Sequence, residues 1–76
     1  MTELEFMREF GENLKAELKD ACMSQKELSE WTGISESTIS KYIHGELMPG
    51  IKNLVNIAVA LDVDITDLAT LDEEIK

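Results

Sequence analysis

The chain has 76 residues, 43% of them hydrophobic and 30% charged, and its seven basic and sixteen acidic residues give a formal net charge of −9 at pH 7. That length allows one domain, which buries about 60% of its unfolded surface and has little room for the supporting shells of an enzyme cleft. No apolar run nears the roughly 20 residues of a membrane span, no basic-then-apolar leader is visible, and a single cysteine, Cys22, excludes an intramolecular disulfide; a reducing cytoplasm is the expected setting.

Phe6, Met7, Phe10, Leu14, Leu18 and Ala21 recur at three- and four-residue steps, which predicts a first helix over residues 3 to 20. Gly11 weakens its middle by about 1 kcal/mol relative to alanine, and Glu3 to Met7 is expected to fray. Ser24 with Glu27 three residues on forms a capping box, so a second helix starts at Gln25 and runs to Thr32. Gly33 permits a sharp turn. Ser35 is placed to cap a third helix over residues 36 to 44, and Gly45 to end it in a left-handed conformation. Pro49 must lie outside a helix interior.

A fourth helix follows over residues 51 to 61. Ile51, Leu54, Val55, Ala58 and Leu61 give it a wide apolar stripe, widened further by Ile57 and Val59. Asp64 and Asp67 predict the start of a short fifth helix reaching Leu71, and residues 72 to 76 form a polar, loose tail. No segment alternates apolar and polar residues, so no sheet is expected. The predicted fold is all-α: one domain over residues 1 to 76, a compact five-helix bundle with its core between residues 6 and 70.

Residues 24 to 45 carry the functional signal, because the second member of a tight helix pair can lie in the major groove of DNA. Ile39 and Ile43 should face the core with Ile34 and Leu28. Glu36, Ser37, Ser40, Lys41 and His44 then face outward, together with the capping Ser35. Small hydroxyls suit a groove, Lys41 reaches a phosphate or guanine, and Glu36 can accept from cytosine N4. A merely solvated polar face explains this helix alone equally well. Gln25, at the start of the second helix, is placed either to bridge a phosphate and Glu36 or to be an ordinary surface glutamine; the helix N-terminus itself offers N–H groups to an anion.

Charge argues the other way. Residues 24 to 50 hold two basic and four acidic residues, the least acidic part of the chain per residue but not a basic one, whereas DNA binders usually present a basic face. Other chemistry finds no support. His44 is the sole histidine and Cys22 is isolated, so neither a zinc site nor a nucleophile–base pair is assembled. Asp62, Asp64 and Asp67 lack the loop length and glycine pattern of a calcium site. No phosphate loop or dinucleotide fingerprint occurs, and neither a cofactor nor an enzymatic activity is expected.

The runs Gln25-Lys26-Glu27-Leu28-Ser29, Thr32-Gly33-Ile34-Ser35-Glu36-Ser37-Thr38-Ile39-Ser40-Lys41-Tyr42 and then Gly45 closely resemble the helix-turn-helix family of phage Cro and cI repressors, the Xre family with its lambda-repressor-like fold. Phe10-Gly11-Glu12-Asn13-Leu14-Lys15 is similar to the family's first helix. Pro49, Asn53-Leu54, Ile57-Ala58, Ala60-Leu61 and Asp67-Leu68 are similar to its fourth and fifth. The resemblance implies a sequence-specific transcriptional regulator, usually a repressor, that binds a palindromic operator in double-stranded DNA as a homodimer. Gln25 then contacts the DNA backbone, and Glu36 and Ser37 read bases. Ser40 and Lys41 form the next turn, Ser35 and Thr38 lie beside them, and His44 touches phosphate.

Three features depart from the pattern. The segment Glu46-Leu47-Met48 lacks the basic residues often found there, Ser29 replaces a common alanine, and Trp31 takes a position that is usually polar. Trp31 either tucks against the first helix or stands exposed as an anchor. The alternative function is therefore a protein-interaction module on the same scaffold, antirepressor or antitoxin-like, favoured by the acidic charge and meeting its partner through Trp31 or the C-terminal helix. That helix and the tail (Leu68, Leu71, Ile75) are the first candidates for a dimer surface, and Trp31 is the second.

Overall fold

Three of the four α-helices in this chain, and a 3₁₀ turn, start at side chains that accept from backbone N–H groups left without an intrahelical partner. The structure is a computed structural model that describes residues 1 to 70. Its elements are α1 (Glu3–Asp20), α2 (Gln25–Thr32), α3 (Glu36–Ile43) and α4 (Ile51–Leu61), followed by a single 3₁₀ turn, Ile65–Asp67. No strand occurs among the described residues. Ser24 and Glu27 form the predicted capping box of α2, with bonds of 3.0 and 3.1 Å. Ser35 Oγ accepts from Thr38 N at 3.1 Å to start α3. Thr2 and Glu5 form a second box at the start of α1. Glu3 to Met7, where fraying was expected, is helical in this structure, with Phe6 buried beneath the box.

Two of the capping carboxylates couple folding to pH. Hydrogen bonds from the backbone and side chain of Thr2 hold the Glu5 carboxyl below its ordinary range, and those from Thr66 do the same for Asp64. A depressed folded-state pKa contributes stability above the unfolded pKa and loses it as pH falls through the folded one. The urea midpoint should therefore drop from about pH 5 downward. Glu5→Gln combined with Asp64→Asn should make that drop shallower; identical acid slopes in both proteins would contradict the assignment.

The core draws on all four α-helices and the segment after the 3₁₀ turn: Phe10 and Leu14 from α1, Leu28 from α2, Ile39 and Tyr42 from α3, Leu54 and Ile57 from α4, and Leu68. Phe10 and Tyr42 meet edge to face, with ring centroids 5.5 Å apart at 71°, the favourable geometry for an aromatic pair. Asparagine amides lock the elements together. Asn53 Nδ2 donates to Tyr42 Oη at 2.9 Å and ties α4 to α3. Asn56 Nδ2 donates to Thr32 O at 2.8 Å, satisfying a carbonyl in the last turn of α2.

At Gly11 the backbones of α1 and α3 nearly touch. A Cβ there would lie 2.5 Å from Tyr42 O and 2.6 Å from Ile43 O. The residue that costs α1 helix propensity is thus the one that lets α3 approach it.

Several expectations are corrected. The fifth helix is a single 3₁₀ turn. Asp64 and Asp67 do cap it, but the chain then leaves the helical path because α1 satisfies its backbone instead. Asn13 Nδ2 donates to Leu68 O at 2.9 Å, and Thr70 N and Oγ1 donate to Glu9 Oε1 at 3.2 and 2.6 Å. Leu68 is fully buried by this arrangement, so it cannot serve as a dimer or partner surface; Leu71, Ile75 and the predicted tail lie outside the described residues. On α4 only Leu54, Ile57, Ala58 and Leu61 turn inward, while Ile51, Val55 and Val59 are exposed, at 68%, 46% and 73%. The apolar residues cover more of that helix than its neighbours can bury. Ile43 is only half-buried, and Tyr42 takes the inward place at the end of α3. Trp31 is 72% exposed, because Leu28 and Thr32 occupy the inward side of α2.

Candidate nucleic-acid interface

The turn between α2 and α3 is built by Thr32 and Gly33. Thr32 Oγ1 donates back to Leu28 O at 2.8 Å and accepts from Ile34 N at 3.1 Å. Gly33 adopts φ +76°, in the left-handed region that favours glycine. Ile34 is then buried and Ser35 begins α3. Gly45, at φ +69°, reverses the chain immediately after His44. These two glycines bracket a helix of eight residues, with His44 as its cap rather than its last turn.

Along α3, Ile39 and Tyr42 are fixed in the core while Glu36, Ser37, Lys41 and His44 are exposed. Thr38 and Ser40 are half-buried at the edge of that face. Ser35 Oγ donates to Thr38 Oγ1 at 2.9 Å while accepting from Thr38 N, so both hydroxyls are engaged in starting the helix. Glu36 lies in the first turn, where a carboxylate interacts favourably with the helix dipole. Gln25 is half-buried at the first position of α2.

His44 carries more constraint than its position in the sequence suggests. Its Nδ1 lies 2.7 Å from Ser40 O and 3.4 Å from Ser40 Oγ. A carbonyl oxygen only accepts, so Nδ1 bears the hydrogen and Nε2 is the free nitrogen.

The asparagines that hold the site were not foreseen as contacts. Asn53 and Asn56 stood in the sequence as polar interruptions of an apolar helix, and that anomaly was the available signal. Among the described residues no buried side-chain polar atom lacks a partner, and no group of three or more His, Cys, Asp or Glu side chains is placed to hold a metal. No helix of the described residues is long and apolar enough to cross a membrane.

Two short helices across a glycine turn, the second presenting an open polar side, define a helix-turn-helix domain. Comparison with known proteins narrows this class. The profile of the HTH_3 helix-turn-helix family matches residues 14 to 68, and the chain belongs to that family, the Xre type, whose members are DNA-binding transcriptional regulators. An uncharacterised HTH-type transcriptional regulator, y4dL of Sinorhizobium fredii, is 41% identical over 54 residues. The match takes in 71% of this chain and 28% of that protein, so the chain spans well under half of the relative's length.

Among solved structures, the chain is similar to an HTH_3 family transcriptional regulator from Vibrio cholerae, with a TM-score of 0.84 and 25% identity over 88% of this chain and 38% of that one. It also shares its fold with the restriction-modification controller protein C.AhdI from Aeromonas hydrophila. There the TM-score is 0.78 and the identity 24%, over 82% of this chain and 94% of that one.

Proposed function

We propose that this domain is a sequence-specific repressor that sets α3 in the major groove of an operator, two copies of the chain binding a palindromic site. The observation that carries this reading is the division of α3: Ile39 and Tyr42 anchor it in the core, and Glu36, Ser37 and Lys41 stand in solvent on the opposite side. Ser37 and Ser40 meet base edges, with Glu36 accepting from a base donor and Lys41 reaching a guanine or phosphate. Gln25, His44 and the N-terminal N–H groups of α2 hold the phosphate backbone. Ser35 and Thr38 act chiefly by starting α3 in the right direction.

Selection of bound sequences from a random duplex pool tests this. The wild type should enrich one palindromic site. Ser37→Ala combined with Ser40→Ala should shift or relax the enriched sequence while leaving the melting temperature nearly unchanged, because neither residue is in the core. Unaltered operator choice and affinity would show that these serines do not read bases. A second reading, a protein-interaction module, is supported by Trp31 and the −9 charge; failure of the wild type to enrich any sequence at low salt would favour it.

A further inference from the structure

We infer that α1 carries the phosphate-binding edge of this domain, through Arg8, Lys15 and Lys19, and so deepens the DNA-binding reading on which it rests. At about 100° per helical residue, these three side chains fall within about 40° of one another on α1, and all three are exposed. They are three of the seven cations in the chain. Phe6, Phe10, Leu14 and Leu18 occupy the buried side of α1. Glu9 and Asn13 face the C-terminal segment, through their bonds to Thr70 and Leu68. The basic stripe lies away from both.

Its position relative to α3 follows from the two glycine contacts. Gly11, which adjoins the stripe on one side, packs its backbone on the last carbonyls of α3. Arg8 lies against Gly45, whose Cβ, if present, would sit 3.4 Å from Arg8 Cα and Cγ. The stripe therefore begins beside the C-terminal end of the recognition helix. It ends at Lys19, whose carbonyl accepts from Cys22 N in the turn leading to Ser24 and Gln25. Glu12 borders it on the side away from Gly11, and the exposed Glu5, one turn before Arg8, lies just beyond Glu12, which leaves three cations against two neighbouring carboxylates.

A helix seated in a groove about 12 Å wide has a phosphate backbone along each rim. An exposed cationic edge that runs from the end of α3 to the start of α2 is placed to follow one of them. Glu46, Leu47 and Met48, the residues after α3, offer no cation there, and the stripe supplies the charge instead. The net charge of −9 hides this arrangement because the carboxylates of α1 lie mainly in other arcs of the helix.

The test compares the salt dependence of duplex binding in the wild type, in the triple variant Arg8→Gln/Lys15→Gln/Lys19→Gln, and in Lys52→Gln, which removes an exposed cation from α4 instead. The probes are the enriched operator and a random duplex. Each phosphate contact contributes about 0.9 to the slope of log Kobs against log salt. The triple variant should lose about 2.7 of slope per subunit, weaken equally on both duplexes, and keep the wild-type base preference. Lys52→Gln should leave the slope unchanged, and Arg8→Lys/Lys15→Arg/Lys19→Arg should retain it, which separates charge from any effect on folding.

An unchanged slope in the triple variant, or an equal loss per cation in Lys52→Gln, would overturn the inference while the groove-reading function stood. A wild type that binds duplex but enriches no sequence would overturn the proposed function, and the stripe would still be decided by the slope on random duplex. No duplex binding at low salt would overturn both.

Discussion

Gly11→Ala should destabilise the domain by roughly 3 kcal/mol, the upper end of the usual cost of forcing extra atoms into a packed interior, although alanine is the better helix former by about 1 kcal/mol. The new Cβ would meet two backbone oxygens, Tyr42 O at 2.5 Å and Ile43 O at 2.6 Å. No side-chain rotation relieves such a clash; α1 and α3 must separate. Separation would open the Phe10–Tyr42 contact and tilt the helix that presents the polar face. For a chain of this size each kcal/mol corresponds to about 4–8 °C in melting temperature, so a fall of more than about 12 °C is expected, together with weaker operator binding. Gly50 gives the contrast. It has open space around the position of a Cβ and a φ of −76°, so Gly50→Ala should cost less than about 1 kcal/mol. A thermal melt of Gly11→Ala that matches the wild type would show that α1 and α3 do not need this close approach.

Gly11 also shows where reading the sequence stops. Propensity identified it as a weak point in α1, and only the crossing of two elements distant in the chain reveals why glycine stands there. Local chemistry was legible throughout. The boxes at Ser24–Glu27 and Asp64–Asp67 and the glycines at 33 and 45 mark starts and stops through bonds within three or four residues, and α1, α2 and α4 fall on their predicted ranges. The fifth helix failed because its continuation was decided by Asn13 and Glu9, more than fifty residues away. The apolar surplus on α4 could not be apportioned without knowing which neighbours cover it. The exposed side of α3 was legible in part: Ile39 marked the inward side, but the four-residue apolar interval pointed to Ile43, and Tyr42 takes that place.

Charge is the quantity that composition reports least faithfully. A sum over the chain says that DNA should repel this domain, whereas binding depends on which charges lie along the rims of the groove. The formal total of −9 still has a consequence, since long-range steering toward DNA is weak when the whole molecule is acidic. If the stripe and Lys41 together neutralise four phosphates per subunit, the dimer's salt slope is about −7, modest for a repressor. A domain of this kind would depend more on its groove contacts, and on the orientation of α3, than a strongly basic one does.

That dependence makes Ile39→Ala the most informative core substitution. Ile39 is fully buried on α3, midway between the exposed Ser37 and Lys41, so it holds the exposed polar face from behind. Truncation should cost about 2–5 kcal/mol, the lost transfer free energy plus that of the cavity left behind. A chain of 76 residues has a stability of roughly 4–11 kcal/mol at 0.05–0.15 kcal/mol per residue, so Ile39→Ala removes a large fraction of it. The expected result is a lower urea midpoint with little change in its slope, and weaker binding to every duplex without a new base preference. The double serine variant should show the converse, an altered preference at constant stability. Ile39→Ala could instead retain the wild-type midpoint. In that case α3 would be held by something other than its buried side, and the separation of anchoring from reading on which the proposed function rests would not describe this helix.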